Sequence, residues 1–283
     1  MTTNNDQPIL VLGASGKTGR RVAARLESRD LAVRRGSRSG TPPFDWEDPS
    51  TWPAVVDGVG KAYISYYPDL AVPGAGDAVG GFAELAVRHG LRRLVLLAGR
   101  GEAAAEEAED AVRASGIPEL TVVRATWFAQ NFSEDYLLDA ILDGVVALPA
   151  GDTPEPFVDA DDIADVAVAA LTEDGHAGET YVLTGPRALS FAQAVSEIGA
   201  ATGRDLRYVP ITVAEYAAEA ARHGVPEEVV GLLTYLFSEV LDGRNTPTED
   251  GVRRALGRAP RDFSAFARDV AATGLWNPAR DRA

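Results

Sequence analysis

The chain contains no cysteine. Disulfides, thiolate nucleophiles and thiol redox sensing are therefore excluded. Lysine is nearly as scarce: Lys17 and Lys61 stand against 25 arginines, the rest of the 27 basic residues. A guanidinium does not give up its proton in a protein, so any mechanism that titrates a lysine has only two candidates. His89, His176 and His223 lie far apart, without a second histidine or an acid at metal-ligand spacing, and no metal site is expected. No G-x-S-x-G occurs, so hydrolase chemistry lacks its nucleophile turn. Positive charge is in deficit, with a net charge of −15. That argues against nucleic acid, whose binding rests on cations displacing phosphate counterions, and equally against anionic membrane surfaces. No apolar run approaches membrane-spanning length, and the opening "MTTNNDQP" lacks the basic start and apolar core of a signal segment. A cytoplasmic protein is expected.

What is present is an alternation. With 46% hydrophobic residues in 283, the chain can bury a substantial core. Strands are predicted at Ile9–Leu12, Leu31–Arg35, Phe44–Asp45, Ala62–Ser65, Leu91–Leu97 and Leu120–Arg124. Helices fall between them at Thr18–Ser28, Ser50–Asp57, Gly74–His89 and Glu102–Ser115. The last carries its acids early and Arg113 late, as the helix dipole prefers. Such alternation with short connections gives a parallel sheet with helices on both faces. Beyond about residue 125 the pattern changes. A helix at Ser133–Leu142, short strands near 145–148 and 156–159, a helix at Asp161–Leu171 and a strand at Thr180–Leu183 are followed by a mostly helical tail. Leu206–Val209 is its one strand. In "DADDIADVA", Asp161 and Asp162 suit an N-cap and first helical turn rather than a metal. The expected organisation is a dinucleotide-binding domain over 1–150, with returning segments near 156–185, and a helical lobe over 186–283. In that lobe "EYAAEAARHGVPEEVVGLLTYLFSEVL" has the spacing of a lid and core that can line a pocket.

The stretch "LVLGASGKTGRRV" locates the candidate site. A triphosphate loop would need glycine at position 11, where Val11 stands. Gly13, Gly16 and Gly19 instead follow an apolar strand and open a helix, the arrangement that cradles a dinucleotide diphosphate. The residues at the end of the second strand decide which dinucleotide. "AVRRGSRSG" has no acid to accept a ribose 2′-hydroxyl, and Ser37 and Arg38 sit where a 2′-phosphate would lie. NADP(H) is therefore expected. A merely solvated edge explains Arg34 and Arg35 better than Arg38. Asp45 and Trp46 can offer adenine a carboxylate acceptor and a packing face, with a plain turn as the alternative.

These residues resemble the NmrA-like group of atypical short-chain dehydrogenases. "VLGASGKTGRRV", "FDWEDPSTWPAVVDGVGKAYIS", "AVRASGIPELTVVRATWFAQNF" and "FVDADDIADVAVAALTEDGHAGETYVLTGP" are similar, in order, to that family's motifs over nearly the whole chain. The stretch "GHAGETYVLTGPRALSFAQAVSEIGAATGRDLRYVPIT" resembles most its NADPH-dependent quinone reductases and triphenylmethane-dye reductases. The resemblance implies a Rossmann-type doubly wound parallel sheet with a smaller, mostly helical C-terminal lobe. It implies phosphate-binding backbone from Gly13 through Ala14, Ser15, Gly16, Lys17 and Thr18 to Gly19. Arg38 falls on the family's adenosine-phosphate arginine, and Asp45 and Trp46 on its adenine-side pair. Ser65, Tyr66, Tyr67 and Leu97, Ala98, Gly99 fall on loops flanking the ribose and nicotinamide. Trp127, Phe128 and Asn131 fall beside the nicotinamide, where a small-molecule substrate would sit.

Most short-chain dehydrogenases protonate a carbonyl with Tyr-x-x-x-Lys. Four residues before Lys17 and Lys61 stand Gly13 and Asp57, so no such pair exists. Two readings follow. One is a reductase whose activated acceptor, such as a quinone or cationic dye, needs little proton donation and whose catalysis is positioning. The other is an NADP(H)-binding redox sensor acting through a protein partner. Tyr66 or Tyr67 can reach a substrate from its strand end, but wall positions suit them equally. Arg100 can steady an oxyanion or pair at the surface with Glu102 or Glu106. No catalytic residue is assigned.

Overall fold

The computed structural model describes residues 7–278; the opening MTTNND and the last five residues lie outside it. In chain order the regular elements begin with β1 (Ile9–Leu12), α1 (Lys17–Glu27), β2 (Val33–Gly36), α2 (Trp52–Val56), β3 (Lys61–Ile64) and α3 (Ala75–Arg88). Next come β4 (Arg93–Gly99), α4 (Ala103–Ala114), β5 (Glu119–Ala125), α5 (Asn131–Glu134), α6 (Leu138–Asp143) and β6 (Val145–Leu148). The chain continues through α7 (Ala160–Thr172), β7 (Thr180–Leu183), α8 (Phe191–Thr202), β8 (Arg207–Pro210), α9 (Val213–Arg222) and α10 (Glu227–Tyr235). It ends with α11 (Gly251–Leu256) and α12 (Phe263–Ala272). Two compact units interleave along the chain.

The first unit comprises residues 7–125, 160–183 and 250–258. Its six strands lie in the order β2-β1-β3-β4-β5-β7, every neighbour parallel. This is a Rossmann-type doubly wound sheet. The chain steps from β1 outward to β2, then crosses back to β3 on the other side of β1. That reversal opens a crevice at the carboxyl ends of β1 and β3. Alternation along the strands sends Leu10, Leu12, Ala62, Ile64, Leu94 and Leu96 to one face, into a core closed by α2, α3 and α4. α1 packs against α7 and contacts β1, while α7 contacts β3, β4 and β5. Val22 and Leu26, four residues apart, form the buried stripe of α1. Its polar side meets the acids that open α7. Arg25 reaches Asp161 at 2.8 Å and Asp165 at 2.7 Å, and Arg21 reaches Asp161 at 3.2 Å. Asp162, buried, pairs with Arg258 at 2.6 Å.

The second unit comprises residues 126–159, 184–249 and 259–278 and is mostly helical. Its small parallel sheet joins β6 to β8. Phe132, Phe157, Phe191, Phe263, Phe266 and Trp276 form its buried aromatic centre. Trp276 is fully buried and donates its indole N–H to the Phe132 carbonyl at 2.8 Å. Capping boxes start α8 at Ser190 and α9 at Thr212.

Three expected elements take other forms. Phe44–Asp45 is not a strand: the Phe44 N–H bonds Ser37 at 2.9 Å, and the ring packs edge-on against Trp46 and Phe82. Its apolar character serves the core rather than a ladder. At 156–159 one parallel bridge, Phe128 to Val158, stands in place of a strand. The helix expected at 133–142 is broken into α5 and α6 at Asp135, whose backbone is extended. Phe132 and Leu137 are both buried. Five residues turn a helix by roughly 140° beyond a full circle, so one unbroken helix would not bury both.

Candidate functional site

β1 is buried throughout and ends at Gly13, whose φ of +75° suits glycine. A Cβ there would lie 2.6 Å from the Ser65 carbonyl oxygen, so the turn after β1 presses on the start of the loop after β3. A Cβ at Gly19 would lie 2.1 Å from the Gly13 carbonyl oxygen, and one at Gly16 would lie 3.3 Å from it. The three glycines therefore let the helix settle directly onto the turn. Beneath it Tyr63, fully buried, donates from its hydroxyl to the Thr18 hydroxyl at 2.8 Å. Burial raises the Tyr63 phenol far above its usual range, so it stays neutral. Ala14, Thr18 and Gly19 are buried, whereas Ser15 and Gly16 face outward and Lys17 is half-buried. The Gly16 N-cap supplies no side-chain cap to α1. A helix start of this kind presents N–H groups and the positive end of its dipole to an anion.

Next to this turn, the three arginines of β2 and its end have different fates. Arg34 donates to the carbonyls of Val55 at 2.8 Å and Asp57 at 2.6 Å. Arg35 forms an ion pair with Glu27 at 2.8 Å. Arg38 is exposed and has no hydrogen bond or ion pair among the described residues. Ser37 just before it accepts the N–H groups of Gly40 and Phe44 at its carbonyl, which curls the loop. Asp45 Oδ1 accepts the Glu47 N–H at 3.1 Å, and the Asp45 carbonyl accepts the Trp52 indole N–H at 2.8 Å. Trp46 lies 4.9 Å from the Tyr66 ring and 5.4 Å from Phe82. Tyr66 thus belongs to an aromatic wall, its phenol raised by burial and by Glu47. Tyr67 is 78% exposed.

Leu97, Ala98 and Gly99 lie inside β4, not in the loop that follows it. The next strand shows why: Ala98 and Gly99 pair with Arg124 and Ala125 of β5, so the ladder runs to the strand's end. Arg100 continues it, its N–H bonding Ala125 at 2.9 Å. Glu106 is paired with Arg124 at 3.3 Å. Glu102 is no surface partner for Arg100. It is buried, its carboxyl folds back over Gly99, and the neighbouring Asp69 adds to burial in raising it. Nothing in the local sequence signalled this, because an acid at a helix start reads as a solvated, dipole-favoured residue.

In the second unit Trp127 packs against Phe191 and Phe237, with centroids 5.3 and 5.1 Å apart. Phe128 makes the bridge to Val158, and Asn131 opens α5 with its N–H on the Phe128 carbonyl at 3.1 Å. Tyr216 of α9 contacts Phe237 at 5.5 Å, which places the predicted lid segment around the same aromatics.

Among the described residues no helix is long and apolar enough to cross a membrane. The model of the NmrA-like family matches residues 104–267. An uncharacterized oxidoreductase, YesF of Bacillus subtilis, is 31% identical over 95% of this chain and 98% of its own. The NAD(P)H azoreductase of Xenophilus azovorans is 31% identical over 93% of this chain and 98% of its own. Among solved structures, the NADPH-dependent quinone oxidoreductase QOR2 of Escherichia coli, complexed with NADPH, superposes with a TM-score of 0.78. It is 19% identical, covering 93% of this chain and 99% of that one. At that identity the likeness establishes the fold.

Proposed function

The chain belongs to the NmrA-like family, and from that premise we propose that it is an NADPH-dependent oxidoreductase passing hydride to a quinone or similar conjugated acceptor. Its relatives include an oxidoreductase and an NAD(P)H azoreductase, and its fold is that of an NADPH-complexed quinone reductase. The first unit holds the nucleotide and the second recognises the acceptor, in the cytoplasm. The Gly13–Gly19 backbone, with Ala14, Ser15, Lys17 and Thr18, cradles the diphosphate. Thr18 acts through its backbone, since its hydroxyl is engaged by Tyr63 below the turn. Asp45 and Trp46 border the adenine, and Ser65, Tyr66, Tyr67 and Leu97–Gly99 border the nicotinamide ribose. Trp127, Phe128 and Asn131 contact the acceptor.

The observation that carries this reading is Arg38. Among the described residues it is the one arginine at the end of β2 left uncommitted, where the extra phosphate of NADPH would need it. NADPH supplies the hydride. The chain supplies orientation, which can account for much of a rate when the acceptor is already activated. Steady NADPH oxidation with benzoquinone-type acceptors is the expected result. Nucleotide binding without turnover on any acceptor, together with ligand-dependent capture of a protein partner, would instead make the protein a redox sensor.

A further inference from the structure

Two acids at the cofactor end of the first unit have no part in the reading above. Asp69 lies in the connection between β3 and α3, four residues past Ser65, and accepts the Ala71 N–H at 2.8 Å. Glu102 closes the three-residue turn between β4 and α4 and is 6% exposed. Its carboxyl fills the space above Gly99, where a Cβ would lie 2.0 Å from one oxygen and 2.6 Å from the other. Only glycine at 99 leaves room for it.

The environment of this carboxyl differs from that of three other buried acids. Glu109, Asp159 and Asp162, all buried, are paired with Arg124, Arg261 and Arg258. No cation pairs with Asp69 or Glu102 among the described residues. Glu102 Oε2 is buried without a hydrogen-bond partner. From the β3–α3 connection Asp69 faces it, and β4 brings the uncharged Gly99. On α4 itself the next acid, Glu106, is turned toward Arg124. Two carboxylates in such a place would repel, so the stable arrangement has one proton between them. Burial, then the Asp69 charge and hydrogen bond, push the Glu102 carboxyl up to about 9.

We propose that Asp69 and Glu102 are positioning residues, whose shared proton ties the loop after β3 to the turn after β4 and so holds Ser65–Tyr67 and Gly99 in the shape that receives the nicotinamide half of the nucleotide. The proposal rests on the nucleotide reading of the preceding subsection. It separates the two halves of that nucleotide: losing the proton should loosen the nicotinamide side and leave the adenosine-phosphate side intact.

The test is a calorimetric titration with NADPH and with 2′,5′-ADP, which carries only the adenosine phosphates. Both are measured near neutrality and above pH of about 9. For the wild type, NADPH affinity is expected to fall about tenfold across that interval, the equivalent of one hydrogen bond to a charged group, while 2′,5′-ADP affinity holds. Glu102→Gln keeps a neutral donor to Asp69, so it should retain the neutral-pH affinity and lose the alkaline step. Glu102→Ala should bind NADPH about tenfold more weakly already at neutrality. Its unchanged binding of 2′,5′-ADP would show that the unit is folded. An alkaline step that survives in Glu102→Gln, or one that both ligands share, overturns the proposal. A wild type that binds both ligands without any step overturns it alone. A wild type that binds neither overturns the nucleotide reading and the proposal together.

Discussion

Asp262 in the second unit and Glu102 in the first are carboxyls at helix starts with opposite surroundings. Asp262 caps α12 through the Ser264 N–H at 2.8 Å and takes two hydrogen bonds from Arg187, which also clasps Glu197 at 2.6 Å. The Arg187 guanidinium holds the Asp262 carboxyl well below its usual range. Glu102 has an acid as its neighbour instead of a cation, and its carboxyl is raised. With 42 acids against 27 basic residues, not every carboxyl can have a guanidinium partner of its own. The contrast therefore separates two uses of a sequestered acid. Paired with a guanidinium it is a fixed strut, insensitive to pH over the working range; left with a shared proton it can respond. Perturbed acids of the second kind gather at functional sites.

The comparison is broken most severely by removing a strut where burial is complete. Arg124→Met strips one of two guanidinium partners from Glu109, which is fully buried. We expect a loss of about 3 kcal/mol in denaturant-induced unfolding. That is the low end for an uncompensated buried charge, because Arg113 remains at 3.0 Å. Arg187→Met should cost less, about 2 kcal/mol, since its carboxylates are partly solvated. Thermal unfolding across pH sharpens the contrast further. Asp262 has a folded pKa below its unfolded one, so its contribution is present above about 4 and is lost as pH falls. Asp262→Asn should flatten the acid limb. Glu102 is raised, so its contribution is complete below its unfolded pKa and is lost as pH climbs toward about 9. Glu102→Gln should flatten the decline between about 4.5 and about 9 and leave the acid limb below it alone. The smallest effect on stability is expected of Arg38→Ala, within about 0.5 kcal/mol, because Arg38 is exposed and has no partner among the described residues.

What could be read from sequence follows the range of the interactions. Ile9–Leu12 forms a strand with the expected ends, and Gly13, Gly16 and Gly19 lie at the turn they implied, because strand, turn and helix start are set by neighbouring residues. The place of Arg38 just past the strand end was legible, whereas the bonds of Arg34 to the carbonyls of Val55 and Asp57, in place of a solvated edge, were not. The break at Asp135 was not, since it depends on which of Phe132 and Leu137 the aromatic centre of the second unit takes up. Phe44 reads as a strand in sequence because an apolar residue after a turn looks the same whether it joins a ladder or caps a core. Glu102 was the least visible. Its burial requires a glycine at 99 and an acid brought in from the connection after β3, and neither leaves a mark in the local pattern.

The most direct measurement compares NADPH with NADH, by calorimetric titration, in the wild type and in Arg38→Ala. The wild type should prefer NADPH by at least about tenfold, the strength of one charge-assisted phosphate contact, and the variant should lose that preference while still binding both. A wild type that takes up the two nucleotides equally, or a variant whose preference survives, would contradict the placement of the extra phosphate beside the glycine turn.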